Sequence, residues 1–256
     1  MDRGDRALAV SRAGRRVLVV AGSDSSGGAG LARDLATLAA LGCTGAVAVT
    51  AVTAQTHERV ERILAMPPDL IAAQMRAAFA SGAVAAVKIG MLPGAAAVEA
   101  VAGELRDRAG IPVVLDPVIA STSGATFLDG AAIEALAGAL MPRADLITPN
   151  LAELAALGGG DVGDEPCAIA TARRLLRRGA RAILVKGGHA AGASATDILV
   201  NRDGTVERFA AERIAASRRG TGCALSSAIA CHMALGVRLG EACRRAKAMV
   251  WSELAG

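Results

Sequence analysis

The chain has no tyrosine, one tryptophan and three phenylalanines in 256 residues. Stacking of bases on aromatic rings is thereby nearly excluded as a way of holding nucleic acid. Lysine is almost as scarce: Lys88, Lys186 and Lys247 are three among 28 basic residues. Arginine serves everywhere else, so a lysine marks a place where a compact ammonium suits better than a planar guanidinium. No apolar run is long and continuous enough to suggest a membrane span. There is no C-x-x-C pair. Cys43, Cys167, Cys223, Cys231 and Cys243 are odd in number and fit reduced thiols in a cytoplasm better than a disulfide framework. His57, His189 and His232 lie far apart and suggest no zinc site. The net charge of +4 is mild, and its densest cluster, Arg173, Arg174, Arg177, Arg178 and Arg181, reads as the solvated face of a helix and not as a nucleic-acid stripe.

What is present is apolar and glycine-rich. Hydrophobic residues make up 53% of the chain and charged residues 20%, enough for a large core and against disorder. Residues 1–16 carry five arginines together with acids and lack an apolar signal region, so they read as a loose tail. From residue 17 to 256 strands and helices alternate without an evident linker or repeat. Strands are expected at 17–21, 47–54, 84–89, 112–115, 145–148 and 182–185, with a hairpin at 196–201 and 206–211. Helices are expected at 31–41, 67–80, 94–109, 131–140, 151–157, 165–178, 223–235 and 241–254. This alternation predicts one doubly wound α/β domain with a mainly parallel sheet flanked by helices on both faces. Ligands of such sheets sit at the carboxyl ends of strands, so Gly22, Gly90, Asp116, Asn150 and Lys186 should share one cleft.

The chemistry centres on Gly220-Thr221-Gly222-Cys223, a glycine turn running into an apolar helix. The first amides of a helix lack partners, and the helix dipole adds positive charge, which makes an anion site. A cysteine at that position is either core or, with its pKa lowered by the helix start, a thiolate able to take a proton from a substrate hydroxyl. The loop Gly22–Gly30 (GSDSSGGAG) is no Walker A and no dinucleotide fingerprint, since Arg33 stands where the third glycine belongs. It reads as a turn that lets a ligand approach bare backbone. Asp34 and Gln55 are polar residues beside apolar stretches. Each alone suits a surface or cap; together they suit hydrogen bonds to a small polar heterocycle. Asp116 ends a strand and serves either a turn or a Mg²⁺–phosphate site. Asn150 and Glu153 suit a capping box as well as metal or nucleotide binding. Lys186, directly before Gly187-Gly188, suits phosphate, and Lys88 less so.

These stretches resemble one family. AGSDSSGGAGLARDLATLAALG, TAVTAQ, VKIGML, VVLDPVIASTSG, LITPNLAEL, LVKGGH and GTGCALSSAIA, in this order over roughly 17–235, are similar to the hydroxymethylpyrimidine/phosphomethylpyrimidine kinases of thiamine biosynthesis, within the ribokinase-like small-molecule kinases. The resemblance implies an ATP- and Mg²⁺-dependent enzyme acting on 4-amino-5-hydroxymethyl-2-methylpyrimidine and then on its monophosphate. It assigns Asp34 and Gln55 to the aminopyrimidine, and Gly22, Ala29, Met91 and Val118 to the walls of its pocket. It makes Cys223 the general base and Gly220, Thr221 and Gly222 the phosphate-holding turn. Lys186 and Asn150 fall to nucleotide phosphates, and Asp116 and Glu153 to Mg²⁺. It implies a homodimer. Three departures stand out. Thr122 replaces a lysine common in the family, Ser217-Arg218-Arg219 replaces a stretch that often carries Asn and His, and the chain stops where family members continue. Pyridoxal kinases share the implied fold but mostly carry Asp at the position of Cys223. A pyrimidine-binding module without catalysis is the third reading.

Overall fold

Arg16–Ala21 reads RVLVVA, and every residue after Arg16 is buried. A strand that is apolar without alternation needs cover on both faces, as in a parallel sheet between two helical layers. The computed structural model describes residues 14–120, 127–187, 194–214 and 219–256 and shows that arrangement. In chain order the first elements are β1 (Arg16–Ala21), α1 (Gly30–Ala40), β2 (Thr44–Val49), β3 (Ala51–Gln55), β4 (Val60–Ala65), α2 (Pro68–Ala80), β5 (Val84–Ile89) and α3 (Ala95–Glu104). There follow β6 (Val113–Leu115), α4 (Gly130–Ala135), β7 (Leu146–Ile147), α5 (Leu151–Gly158), α6 (Glu165–Arg177) and β8 (Ala182–Val185). β9 (Ser194–Asn201), β10 (Val206–Glu212), α7 (Thr221–Ala234) and α8 (Leu239–Ala255) complete it.

Eight strands form one sheet in the order β10-β9-β8-β7-β6-β5-β1-β2. Pairing is parallel from β2 to β8 and antiparallel at β9 and β10. Leu18 and Val20 face a core with Ile71 and Met75 of α2, Val98 of α3 and Leu175 of α6. Val17 and Val19 face the opposite core, with Leu38 of α1, Ile229 of α7 and Ala246 of α8. β1 lies between β2 and β5, so the order of strands reverses there, and the crevice opens at the carboxyl ends around that reversal.

Two expectations need correcting. The strand expected at 47–54 is two strands of different sheets. The chain leaves the main sheet at Thr50, whose hydroxyl donates to the Met91 carbonyl at 2.6 Å and whose carbonyl accepts from Met66 N at 2.9 Å. β3 then pairs with β4 in a two-stranded flap, and β4 was not expected at all. The helix expected at 94–109 ends at Glu104. Residues 1–13 of the expected tail, Thr122, Gly188, His189, Ser217 and Arg218 lie outside the described residues.

Candidate active site

The loop after β1 is organised by Asp24. Its buried carboxylate accepts from Ser26 N at 2.8 Å, Ser26 Oγ at 2.7 Å and Ala29 N at 2.8 Å. The backbone crosses itself so tightly that a Cβ on Gly30 would stand 2.4 Å from the Gly22 carbonyl oxygen. The loop's glycines are therefore explained partly by its own folding, and the Ala29 amide is already used by Asp24. Gly22 and Met91 are neighbours: a Cβ on Gly22 would meet Met91 Cε at 3.0 Å. Val118 stands half-buried just past Asp116, its N–H donating to the Asp116 carbonyl at 2.9 Å.

The flap lies against this loop. Thr53 bonds Ser23 through its N–H and its hydroxyl, and the Gln55 backbone exchanges two bonds of 2.8 Å with Ser25 Oγ. Gln55 is half-buried, and its Oε1 accepts from Arg219 at 3.2 Å.

All three lysines sit in ion pairs at low exposure. Lys88 Nζ is 2.8 Å from both carboxylate oxygens of Asp34, and neither side chain has any exposed surface. Ser227 Oγ of α7 also donates to Asp34 at 2.8 Å. Burial works against the Lys88 charge, but Asp34, Cys223 and Asp116 together raise its pKa. The resemblance assigns Asp34 to the pyrimidine; in this structure its carboxylate is taken up by Lys88 and Ser227. Its carboxylate holds α1 against β5 and α7, and a ligand would have to strip a buried ammonium of its partner, a loss of about 3–5 kcal/mol.

Lys186 Nζ is 2.7 Å from Asp116 Oδ1 and 3.6 Å from Glu153 Oε2. Thr148 and Ser226 donate to the same Asp116 carboxylate at 3.2 and 3.3 Å. Burial opposes both charges. Asp116 and Glu153 still raise the Lys186 pKa, and Lys186 and Lys88 still lower that of Asp116. Lys247 Nζ is 3.0 Å from Asp197, which also accepts from the Gly187 amide at 2.9 Å. The backbone beside Lys186 is thus anchored to α8.

The turn Gly220–Cys223 stands above the second of these pairs. Gly220 is left-handed (φ 75°, ψ 11°), and a Cβ there would lie 2.2 Å from the Gly28 carbonyl oxygen. Glycine is required by both conformation and space. Among the described residues no side chain caps α7. The helix starts directly over an ammonium: a Cβ on Gly222 would be 3.3 Å from Lys186 Nζ and 3.7 Å from Asp116 Oδ2. Thr221 is the first residue of the helix.

Cys223 is partly buried, and its thiol behaves opposite to expectation. Burial pushes its pKa up to about 11, with Asp34 and Asp116 adding to the rise against Lys88 and the Gly30 amide. The helix start does not outweigh this, so the side chain is a neutral thiol near pH 7. Asn150 and Glu153 form the complete capping box of α5, with bonds of 2.8 and 2.7 Å. Asn150 Oδ1 is therefore taken up by the cap, and Glu153 is shared between the cap and Lys186. Sequence reasoning missed three features: the pairing of Lys88 with Asp34, the Lys247–Asp197 anchor and the bonds of Arg219. The scarcity of lysine was the available signal for the first two.

Residues 24–255 match the model of the phosphomethylpyrimidine kinase family. The chain is 44% identical over 233 residues to the hydroxymethylpyrimidine/phosphomethylpyrimidine kinase of Rhizobium meliloti (strain 1021), covering 90% of this chain and 87% of that one. It is 43% identical over 233 residues to a thiamine biosynthesis bifunctional protein of Geobacter sulfurreducens, covering 90% of this chain but spanning only 47% of that protein. The crystal structure of phosphomethylpyrimidine kinase from Clostridium difficile 630 superposes with a TM-score of 0.82 at 33% identity, over 94% of this chain and 99% of that one. The pyridoxal kinase of Staphylococcus aureus in complex with pyridoxal gives 0.87 at 28% identity, over 95% and 89%. The fold is the ribokinase-like one shared by these kinases. By its match to the family model and its identity to these relatives, the chain belongs to the phosphomethylpyrimidine kinase family.

Proposed function

We propose that the protein phosphorylates the hydroxymethyl group of 4-amino-5-hydroxymethyl-2-methylpyrimidine with ATP, and then converts the monophosphate to the diphosphate, in thiamine biosynthesis. The observation that carries this reading is the uncapped start of α7 stacked on the Lys186–Asp116 pair. Phosphoryl transfer through a loose transition state asks mainly for positioning and for charge stabilisation. The amides at Gly220–Cys223 would hold the transferred phosphoryl oxygens, and Lys186 would face the bridging charge. Little is asked of a base, which fits a neutral Cys223: its sulfur would orient the attacking hydroxyl and not withdraw its proton early. Solved pyridoxal kinases of Staphylococcus aureus hold ADP or AMP-PCP, in line with a nucleotide donor here.

Mg²⁺ fits the residues present. Among the described residues no cluster of three His, Cys, Asp or Glu side chains could hold a metal. Mg²⁺ in kinases takes one or two carboxylates and otherwise phosphate and water oxygens, and Asp116 and Glu153, both beside Lys186, would supply them. When bound it would neutralise phosphate charge. Gly22, Ala29, Met91 and Val118 would line the pyrimidine pocket, with Gln55 above it. The exposed Val52, Ile63 and Leu64 of the flap, with Leu70, would be covered in a homodimer. No described helix is long and apolar enough to cross a membrane. A cytoplasmic location would suit the free thiols of its cysteines.

The likeness to a pyridoxal-bound neighbour supports pyridoxal as a second substrate. Product analysis over time with ATP, Mg²⁺ and either hydroxymethylpyrimidine or pyridoxal tests both, separating mono- from diphosphate. We expect the pyrimidine to be the faster substrate. Faster pyridoxal turnover would replace the reading, and pyrimidine binding without turnover would favour a binding module.

A further inference from the structure

We propose that Arg219 is a positioning residue: it latches the β3–β4 flap onto the cleft and fixes the orientation of the Gln55 carboxamide for pyrimidine recognition. The inference rests on the pyrimidine-kinase reading for its substrate, though not for the latch itself.

The Arg219 side chain is only 18% exposed although it reaches toward a surface flap. Its Nη1 donates to the Thr56 carbonyl, and its Nη2 donates to Gln55 Oε1 at 3.2 Å. Nη2 also lies 3.6 Å from the buried Asp24 carboxylate, the group that organises the glycine loop. One guanidinium thus joins three segments: the residue before the phosphate turn, the loop after β1 and the tip of the flap. A planar fork with several donors can do this; a single ring nitrogen cannot. The rest of the flap is fastened through β3, by Thr53 and Gln55 to Ser23 and Ser25. β4 is exposed along nearly its whole length and adds little.

The same bond decides which way the amide of Gln55 points. Arginine has donors only, so the oxygen of the carboxamide must face it. The Gln55 NH₂ has no hydrogen-bond partner among the described residues and is left to donate to a ring nitrogen. The oxygen keeps a second lone pair for an exocyclic amine. A ligand therefore meets an amide already turned to suit an aminopyrimidine. Because Arg219 is bonded directly to Gly220, the latch and the phosphate turn share one stretch of backbone.

The test uses the full chain with Arg219→Ala, Arg219→Lys, Gln55→Ala and the double variant Arg219→Ala/Gln55→Ala. Losing a charged donor should raise the KM for hydroxymethylpyrimidine about tenfold in Arg219→Ala, with kcat and the KM for ATP changed less than about twofold. Arg219→Lys should restore part of the loss. In the Gln55→Ala background, Arg219→Ala should add almost nothing. In the ligand-free protein, hydrogen exchange should quicken in residues 52–64 for Arg219→Ala. An equal KM effect in both backgrounds, a rise confined to the KM for ATP, or unchanged exchange would overturn the proposal. If wild-type protein fails to phosphorylate the pyrimidine while the exchange effect is present, the substrate reading falls and the latch stands.

Discussion

The two ends of the cleft are built from different materials. At the end proposed for phosphate, Lys186, Asp116, Thr148 and Ser226 form a buried network under the first turn of α7. At the end proposed for the pyrimidine, a two-stranded flap rests on the glycine loop through serine and threonine bonds and one arginine. The first is a network whose dielectric makes each bond count and each missing partner costly. The second is a hairpin of a kind that is marginal by itself. The difference teaches where specificity and rate should reside. On the proposed reading, a rigid end would hold the charge that develops during transfer, and a lightly fastened end would meet the substrate. Substitutions should divide accordingly, those at α7 and β8 acting on kcat and those in the flap acting on KM.

The largest expected effect is at Lys186. Lys186→Met should lower kcat by about 10²–10³, measured at saturating pyrimidine and ATP. It would also leave Asp116 buried without its main partner, so a thermal melt should accompany the kinetics. An effect on KM alone would blur the contrast between the two ends. Next, Gly220→Ala places a methyl group against the Gly28 carbonyl in a left-handed position. Strain of this kind costs about 1–3 kcal/mol, and we expect a lower melting temperature together with loss of turnover. A variant as stable and active as wild type would show that the turn relaxes easily.

Cys223 sharpens the comparison further. An essential general base contributes roughly 10²–10⁴-fold. With a neutral thiol we expect Cys223→Ala to lower kcat by less than about a hundredfold, with pyrimidine affinity nearly kept. The pH profile carries the sign. A thiol whose pKa is pushed up to about 11 binds its proton throughout the neutral range, so kcat should stay level between about pH 7 and 9. A tenfold rise per pH unit over that range would mean that the thiolate is the active form. The smallest effect is expected in the flap: Gln55→Ala should raise the KM for the pyrimidine about tenfold, the worth of one or two hydrogen bonds, and leave kcat almost unchanged.

Much of the fold was legible in the sequence because parallel strands buried on both faces show as apolar runs. β5 and β8 fall at 84–89 and 182–185 as expected. β4 was invisible for the opposite reason. VERILA has one half-buried residue and five exposed ones, so no core imposed a pattern on it. The break at Thr50 was also hidden, since a buried threonine turning to the Met91 carbonyl leaves no mark in a β-branched stretch. In the site, the residue that needs a special backbone was readable: Gly220, left-handed and hard against the Gly28 carbonyl. Partnerships were not. Asp34 stood out as an acid on an apolar helix, but its partner Lys88 lies 54 residues away. Helix-start arguments likewise assigned Cys223 a lowered pKa, whereas burial beside two carboxylates raises it.

The economy of lysine has a practical side. Lys88 is wholly enclosed, and the side chains of Lys186 and Lys247 are 15% and 14% exposed. Reagents that acylate ammonium groups should find the lysines of the folded chain largely shielded, while arginines such as Arg59, Arg76 and Arg181 stay open to dicarbonyl reagents. Each lysine that reacts then reports a separate opening event: Lys88 the parting of α1 from β5, Lys186 the exposure of the floor beneath α7, and Lys247 the lifting of α8. Three residues in three different places make the protein its own set of clocks for local unfolding.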